Sequence, residues 1–243
     1  MTSTSAAKAL AVFHHPFYIR HNQRRLEHLS TLGLDLRDKS VLEPGAGIGD
    51  HTLFYLDRGC RVTAVEPRSE NCAAFRENVG GSWSPQRDNH RLIEADVFAI
   101  EDMGETFDIV HSYGLLYHLG DPGRAIAAMA ARSRGLFLLE TCVSMGRDIA
   151  INPVAEPADN PSQAADGQGC RPSRGWVLGE LKRHMPHVYL PRTQPAHDEF
   201  PTDWTAASWP STTGLTRAIF VASRKPLDNP ALTTDLIDRQ PAI

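Results

Sequence analysis

The run Ser40-Val41-Leu42-Glu43-Pro44-Gly45-Ala46-Gly47-Ile48-Gly49 constrains this chain more than any other. A short apolar strand ends on the carboxylate of Glu43. Glycines then fill every second position of a turn, and residues 51–58 suit a helix. Glycine accepts positive φ and lets a ligand approach the backbone closely. Strand, glycine loop and helix in that order open a βαβ unit, whose strands are parallel.

The same alternation continues along the chain. Residues 61–65 read as a second strand ending on Glu66, 69–78 as a helix, 91–96 as a third strand and 107–112 as a fourth. An alanine-rich helix over 122–133 precedes a strongly apolar fifth strand over 135–141. A helix over 176–184 and strands over 187–190 and 216–223 complete the pattern. It predicts an α/β fold, a doubly wound, mostly parallel, seven-stranded sheet. Ahead of the sheet, Leu26, Leu29 and Leu32 recur every three positions, with Arg20, Arg24, Arg25 and Glu27 around them, which predicts an amphipathic helix over 18–34.

Between 144 and 173 the texture changes: Pro153, Pro157, Pro161 and Pro172 stand among Asn, Asp, Gln and Gly. Loops of that length are lids, binding loops or disordered segments, so 144–175 reads as a substrate loop inserted after strand 5. The first dozen residues are small and polar and are expected to fray or to form an ill-fixed helix, with the ordered fold starting near Phe13. The expected organisation is a helical segment over 1–35, a main domain over 36–225 and a peripheral tail over 226–243.

Composition narrows the function. Of 243 residues, 41% are hydrophobic and 22% charged, the balance of a globular chain with a packed core. No apolar run approaches the roughly 20 residues that cross a bilayer, and the N-terminus lacks a signal-type stretch, so a cytoplasmic location without membrane attachment is expected. Cys60, Cys72, Cys142 and Cys170 form no C-x-x-C pair and read as buried, reduced thiols. A net charge of −4 is the wrong sign for gripping a phosphate backbone, which makes nucleic acid a poor partner.

Ligands of doubly wound sheets sit beyond the carboxyl ends of the strands, where Glu43, Glu66 and Asp96 all fall. Glu66, closing the second strand, is placed to accept ribose hydroxyls through charge-assisted bonds. A glycine loop alone also suits the pyrophosphate of a dinucleotide. Glu43 decides against that, because a carboxylate repels pyrophosphate and attracts a ligand carrying an ammonium group.

Val41 to Gly49, Val65-Glu66, Ala95-Asp96-Val97 and Phe107-Asp108-Ile109-Val110 resemble, in order, the motifs of class I S-adenosylmethionine-dependent methyltransferases. The resemblance covers residues 40–142. It implies a Rossmann-like fold and S-adenosyl-L-methionine as cofactor. Glu43, Gly45 and Gly47, with Ala46 between them, would line the methionine moiety, and Glu66 the ribose. Asp96 and Val97 would line the adenine, and Ser112 and Tyr113 would close the floor. The cluster Phe13-His14-His15-Pro16-Phe17-Tyr18, with Arg20, His21 and Arg25, would fold over the cofactor as such N-terminal segments do; an ordinary helix start is the plainer reading.

Methyl transfer from a sulfonium is an in-line displacement, so the protein positions the acceptor and, for a hydroxyl, removes its proton. Ser112-Tyr113-Gly114-Leu115-Leu116-Tyr117-His118-Leu119, followed by Asp121-Pro122, looks like the post-strand segment of small-molecule methyltransferases and makes His118 the leading base. Imidazole titrates near neutral pH, as that role needs; packing against the cofactor loop is the alternative. Glu140, ending the fifth strand, could bind acceptor hydroxyls, assist the base or hold a metal, or simply face solvent. Some sugar and catechol methyltransferases use a divalent cation to acidify the acceptor hydroxyl. Glu140, His197, Asp198 and Glu199 are the candidates here, and their oxygen-rich character favours Mg²⁺.

The polar insertion, and Trp176, Tyr189, Trp204 and Trp209 beside Arg171, Arg174, Arg192 and His197, suit stacking on sugar faces, although core packing explains some of these aromatics equally well. A small-molecule or oligosaccharide acceptor is therefore expected, methylated on a hydroxyl, with loose similarity to actinobacterial enzymes that methylate mannose-containing polysaccharides. A homo-oligomer is compatible with these features. Two alternatives stand beside this reading. Ser112 to His118 also resembles bacterial tRNA wobble-uridine carboxymethyltransferases, and a non-catalytic S-adenosylmethionine-binding protein would keep the cofactor site alone.

Overall fold

The computed structural model describes residues 4–243. Five parallel strands carry the Rossmann-like half: β1 (Ser40–Pro44), β2 (Arg61–Glu66), β3 (His90–Glu94), β4 (Phe107–Tyr113) and β5 (Ser133–Cys142). A short hairpin, β6 (Pro153–Ala155) and β7 (Gln168–Cys170), lies in the insertion. β8 (His187–Pro191), β9 (Arg217–Ser223) and β10 (Leu232–Thr233) return to the main sheet. That sheet has the order β10-β8-β9-β5-β4-β1-β2-β3. β9 runs antiparallel to both β5 and β8. Chain order reverses between β1 and β4, which pair in parallel, and this is the topological switch point where such sheets open a crevice.

Alternation along each strand sends neighbouring side chains to opposite faces. Leu42, Val110, Phe137, Leu139 and Phe220 enter one core with Ile126, Met129, Val177 and Leu181, which come from α5 (Pro122–Arg132) and α6 (Arg174–His184). Val41, Ile109, Leu138 and Val221 enter the other. There they meet Leu29 of α2 (Pro16–Thr31), Tyr55 of α3 (Asp50–Leu56) and Phe75 of α4 (Ser69–Gly80). The sheet is therefore covered by helices on both sides. All four cysteines are free and buried. No helix among the described residues is long and apolar enough to cross a membrane.

Three features differ from the expectations. The sheet has eight strands rather than seven, because the tail supplies β10, which pairs antiparallel with β8. The tail is not peripheral: Gln240 is 2% exposed, donates to Pro191 O at 2.6 Å and accepts from Trp204 Nε1 at 2.6 Å. Of the two expectations for the N-terminal stretch the helix is the one found, and it is packed rather than ill-fixed: α1 (Thr4–Phe13) buries Ala6 and Ala9 against Ile48 and Ala74. Small side chains let that helix pack closely, a gain that polarity along the sequence does not reveal. Residues 1–3 of the same expectation lie outside the described residues.

Candidate active site

At the carboxyl rim of β1, Gly45, Gly47 and Gly49 all adopt positive φ, at 73°, 55° and 85°. A Cβ on Gly49 would come within 2.7 Å of both Phe75 and Val79, so α4 can close on the loop only because no side chain stands there. The loop forms the floor of a cavity of about 510 Å³, lined also by Glu43, Glu66, Asp96 and Val97. Its volume lies in the range of small-molecule sites.

Glu43 is 3% exposed and accepts from Thr52 Oγ1 at 2.5 Å. Burial, only partly offset by that bond, pushes its carboxyl up to about 8. Glu66 accepts from the amides of Gly47 at 2.9 Å and Arg68 at 3.1 Å, and from Asn71 Nδ2 at 3.0 Å. Burial raises its pKa as well, against the pull of these donors. Asp96 caps the short helix that follows it, accepting from Phe98 N at 2.8 Å. Ala46 and Tyr113 line the cavity, and the Tyr113 hydroxyl has no hydrogen-bond partner among the described residues. Ser112 does not line it: its side chain is fully buried and its hydroxyl lacks a partner. Alternation along β4 explains this, since Ser112 and Tyr113 face opposite ways.

The N-terminal segment does form a wall. Phe13, Tyr18, His21, Asn22 and Arg25 line the cavity. The insertion closes another side through Pro161, Ser162 and Gln163. It is fastened there by Arg68 Nη2 on the carbonyl of Ala158 at 2.8 Å, by Asn71 Nδ2 on that of Pro161 at 3.1 Å, and by Tyr18 Oη on Ser162 Oγ at 3.1 Å.

His118 lines the cavity, and its Nδ1 is hydrogen-bonded to Glu156 Oε2. Glu156 immediately follows β6 and also accepts from Arg171 Nη2 at 2.9 Å and the amide of Ala164 at 2.9 Å. Burial opposes its ionisation, but His118, Ala164 and Arg171 hold its carboxyl down at about 2. Burial keeps the His118 imidazole below its usual range, against the pull of Glu156. The pair is thus a carboxylate accepting from a neutral imidazole, with Nε2 left as the basic nitrogen.

Glu140 is not at the cavity surface. It is fully buried, and its two oxygens accept from Arg25 Nη1 at 2.7 Å and Arg217 Nη1 at 3.0 Å. Burial would raise its pKa, but the two guanidinium groups hold it below the ordinary range. The cavity meets those two arginines instead of the carboxylate, which lies behind them as their shared partner. Arg217 also donates to Glu199 Oε2 at 2.5 Å and to the Tyr117 hydroxyl at 3.2 Å.

An oxygen-rich Mg²⁺ set is not assembled. Glu140 is saturated by arginines, and Asp198 accepts from Thr212 N at 2.7 Å. Among the described residues, His197 and Glu199 cluster with His21, a second nitrogen donor, which is not an all-oxygen set. The late aromatics are absorbed by packing: Trp204 lies under Arg174 at 3.8 Å, Tyr189 and Trp176 pack on the core, and Trp209 donates to Asp198 O at 2.6 Å. None of the four lines the cavity.

Sequence reasoning missed Glu156, Arg217 and Asn71 and gave Arg25 no definite role. Arg217 opens β9, and because β9 is antiparallel, its first residue lies at the same rim where β5 ends, with Arg217 opposite Cys142. Only that topology brings it to the site.

Comparison with known proteins agrees with this architecture. A family model described as a methyltransferase domain matches residues 17–189. A tRNA U34 carboxymethyltransferase of Alteromonas mediterranea is 32% identical over 124 residues, covering 48% of this chain and 36% of that protein. A ribosomal RNA small subunit methyltransferase A of Anaeromyxobacter is 27% identical over 218 residues, covering 84% of this chain and 64% of that protein. The chain therefore spans between about a third and two thirds of the length of these relatives. Among solved structures, the N-terminal domain of EvdMO1, with SAH and D-fucose present, superposes with a TM-score of 0.62 at 20% identity, over 87% of this chain and 84% of that one. Magnesium protoporphyrin IX methyltransferase from Synechocystis PCC 6803, with SAM bound, gives 0.60 at 13% identity, over 92% and 93%. With the family model spanning most of the chain and the fold shared over 87% of it, the protein belongs to the class I S-adenosylmethionine-dependent methyltransferases.

Proposed function

We propose that this chain transfers the methyl group of S-adenosylmethionine to a hydroxyl of a small polar acceptor, a saccharide or oligosaccharide. One observation carries the reading: a single cavity holds the Glu43, glycine-loop and Glu66 floor together with the His118–Glu156 pair. Glu43 meets the ammonium of the methionine moiety, Glu66 the ribose, and Asp96 with Val97 the adenine. A carboxylate offers about four lone-pair sites, and Glu66 already spends three on Gly47, Arg68 and Asn71. One strong ribose hydroxyl bond completes it.

His118 Nε2 takes the acceptor's proton as the methyl group moves, while Glu156 fixes the tautomer, the division of labour seen wherever a carboxylate orients a catalytic imidazole. The acceptor's surroundings are polar: Tyr18, Asn22, Arg25, Gln168 and Arg217 all line the cavity, which suits an acceptor rich in hydroxyls. The D-fucose present with the EvdMO1 domain supports a sugar on this fold. The curated relatives named for RNA favour a second reading, an RNA acceptor, against which the net charge of −4 weighs.

Transfer of labelled methyl groups to mono- and oligosaccharides, with bulk tRNA and ribosomal RNA alongside, tests the reading. Label in the saccharides is expected. Label only in RNA replaces the acceptor, and cofactor binding without transfer to any acceptor leaves a non-catalytic binding protein.

Two outcomes follow for the cofactor. Glu66→Ala weakens S-adenosylhomocysteine binding by about 1.5–3 kcal/mol, the loss expected for a charged hydrogen bond. Calorimetry checks this, and an unchanged Kd removes the ribose assignment. Because the Glu43 carboxyl stands at about 8, it carries a proton at pH 7 before an ammonium arrives. An arriving ammonium favours the carboxylate, so binding releases a proton and affinity rises with pH up to that value. Titrations at pH 7 in buffers of different ionisation enthalpy read the released proton directly. Zero proton release would remove the ammonium from Glu43.

A further inference from the structure

Behind the acceptor end of the cavity, three side chains form a cluster with no part in the methyl transfer described above. His21 on α2, with His197 and Glu199 from the irregular stretch before β9, bring one donor atom each to within 4.8 Å of one another. Their exposures are 2%, 6% and 1%. Nε2 of His21 has no hydrogen-bond partner among the described residues, a rare condition for a buried polar atom. It stands 3.8 Å from Glu199 Oε2. That separation is too long for a hydrogen bond. It suits two donors that share an ion, each about 2.0–2.2 Å from it.

The surroundings are those of an oriented ligand set. Nδ1 of His197 accepts from the amide of Glu199 at 3.3 Å and lies 3.2 Å from Asp198 Oδ1, contacts that fix the orientation of the ring. Glu199 is held from outside by Thr213 Oγ1 at 2.5 Å and Arg217 Nε at 2.5 Å. The nearby arginines are matched by carboxylates, Glu140 pairing with both and Glu199 with Arg217. Phe17 and Phe200 pack against the two imidazole rings and supply an apolar outer shell.

We propose that His21, His197 and Glu199 bind a divalent transition-metal ion in the wall of the acceptor cavity, which His21 lines. Two imidazoles and one carboxylate select ions of the Zn²⁺, Co²⁺ or Fe²⁺ kind over Mg²⁺, which prefers oxygen alone. An ion there offers Lewis acidity beside a bound hydroxyl. Its binding is independent of whether that hydroxyl is ever methylated.

Co²⁺ titration of the chelator-treated full chain, followed by visible ligand-field absorption, tests the site. Metal analysis after desalting Zn²⁺-loaded protein gives the stoichiometry. One saturable equivalent is expected, undisturbed by a large excess of Mg²⁺. Binding is expected to weaken at least about 100-fold in His21→Ala and in His197→Ala, with circular dichroism unchanged. If His197→Ala does not fold, His21→Ala decides alone. Absence of saturable binding, or wild-type affinity in His21→Ala, overturns the site and assigns any retained ion to other groups such as the exposed His14 and His15.

Discussion

His118→Ala lowers the turnover number about 10²- to 10⁴-fold on any acceptor hydroxyl that the wild-type protein methylates, while S-adenosylhomocysteine binds as before. The effect is large because the acceptor hydroxyl loses a cavity-lining imidazole whose far nitrogen is hydrogen-bonded to a carboxylate. Cofactor affinity is spared because the nucleoside contacts proposed above lie on the Glu43 and Glu66 side. Glu156→Gln supplies the companion test. Glu156 raises the His118 pKa through its hydrogen bond and charge. Removing the charge therefore shifts the acid limb of the pH–rate profile to lower pH and reduces the rate. A purely structural role for Glu156 would reduce the amount of folded protein and leave that limb in place. Near-wild-type turnover in His118→Ala would transfer the base to another residue.

Glu140→Ala is expected to destabilise the fold by about 3–5 kcal/mol, the cost of breaking a buried pair from one side. Arg25 loses its carboxylate altogether, and Arg217 keeps only Glu199. For a domain of this size the loss corresponds to a fall in Tm of about 6–20 °C. Thermal and urea unfolding read it. A loss under about 1 kcal/mol would mean that water reaches the arginines and that Glu140 organises nothing. The sign with pH follows from the lowered Glu140 pKa. Its contribution is fully present above the unfolded carboxylate pKa and is lost as the pH falls through the depressed folded value, so wild type and variant converge in acid.

How legible the site was depends on where its residues sit in the chain. Glu43, the glycines and Glu66 stand at strand ends in one contiguous βαβ unit, so pattern and register locate them before any tertiary contact is known. The strand and helix bounds agree to within a few residues for the same reason: alternation and helical spacing are local signals. Arg217 and Glu156 lie about 174 and 113 residues beyond Glu43 in number, and they reach the site through an antiparallel return strand and a hairpin in the insertion. No local pattern encodes either route. β6, β7 and β10 have three, three and two residues, too few for periodicity to register. Trp204 illustrates the opposite error. Its composition beside arginines suggested a sugar platform, yet its ring is covered by Arg174 and its nitrogen is spent on Gln240. A side chain's type states what it can bind, and packing decides what it does bind.

The central claim is that the rim formed by Glu43, the glycine loop and Glu66 seats a sulfonium nucleoside and not a dinucleotide. Isothermal titration of the full chain with S-adenosylhomocysteine and, separately, with NADH tests it most directly. Saturable binding of the first at one site per chain, with no heat from the second, is the predicted result. Tight binding of NADH with none of S-adenosylhomocysteine would contradict it.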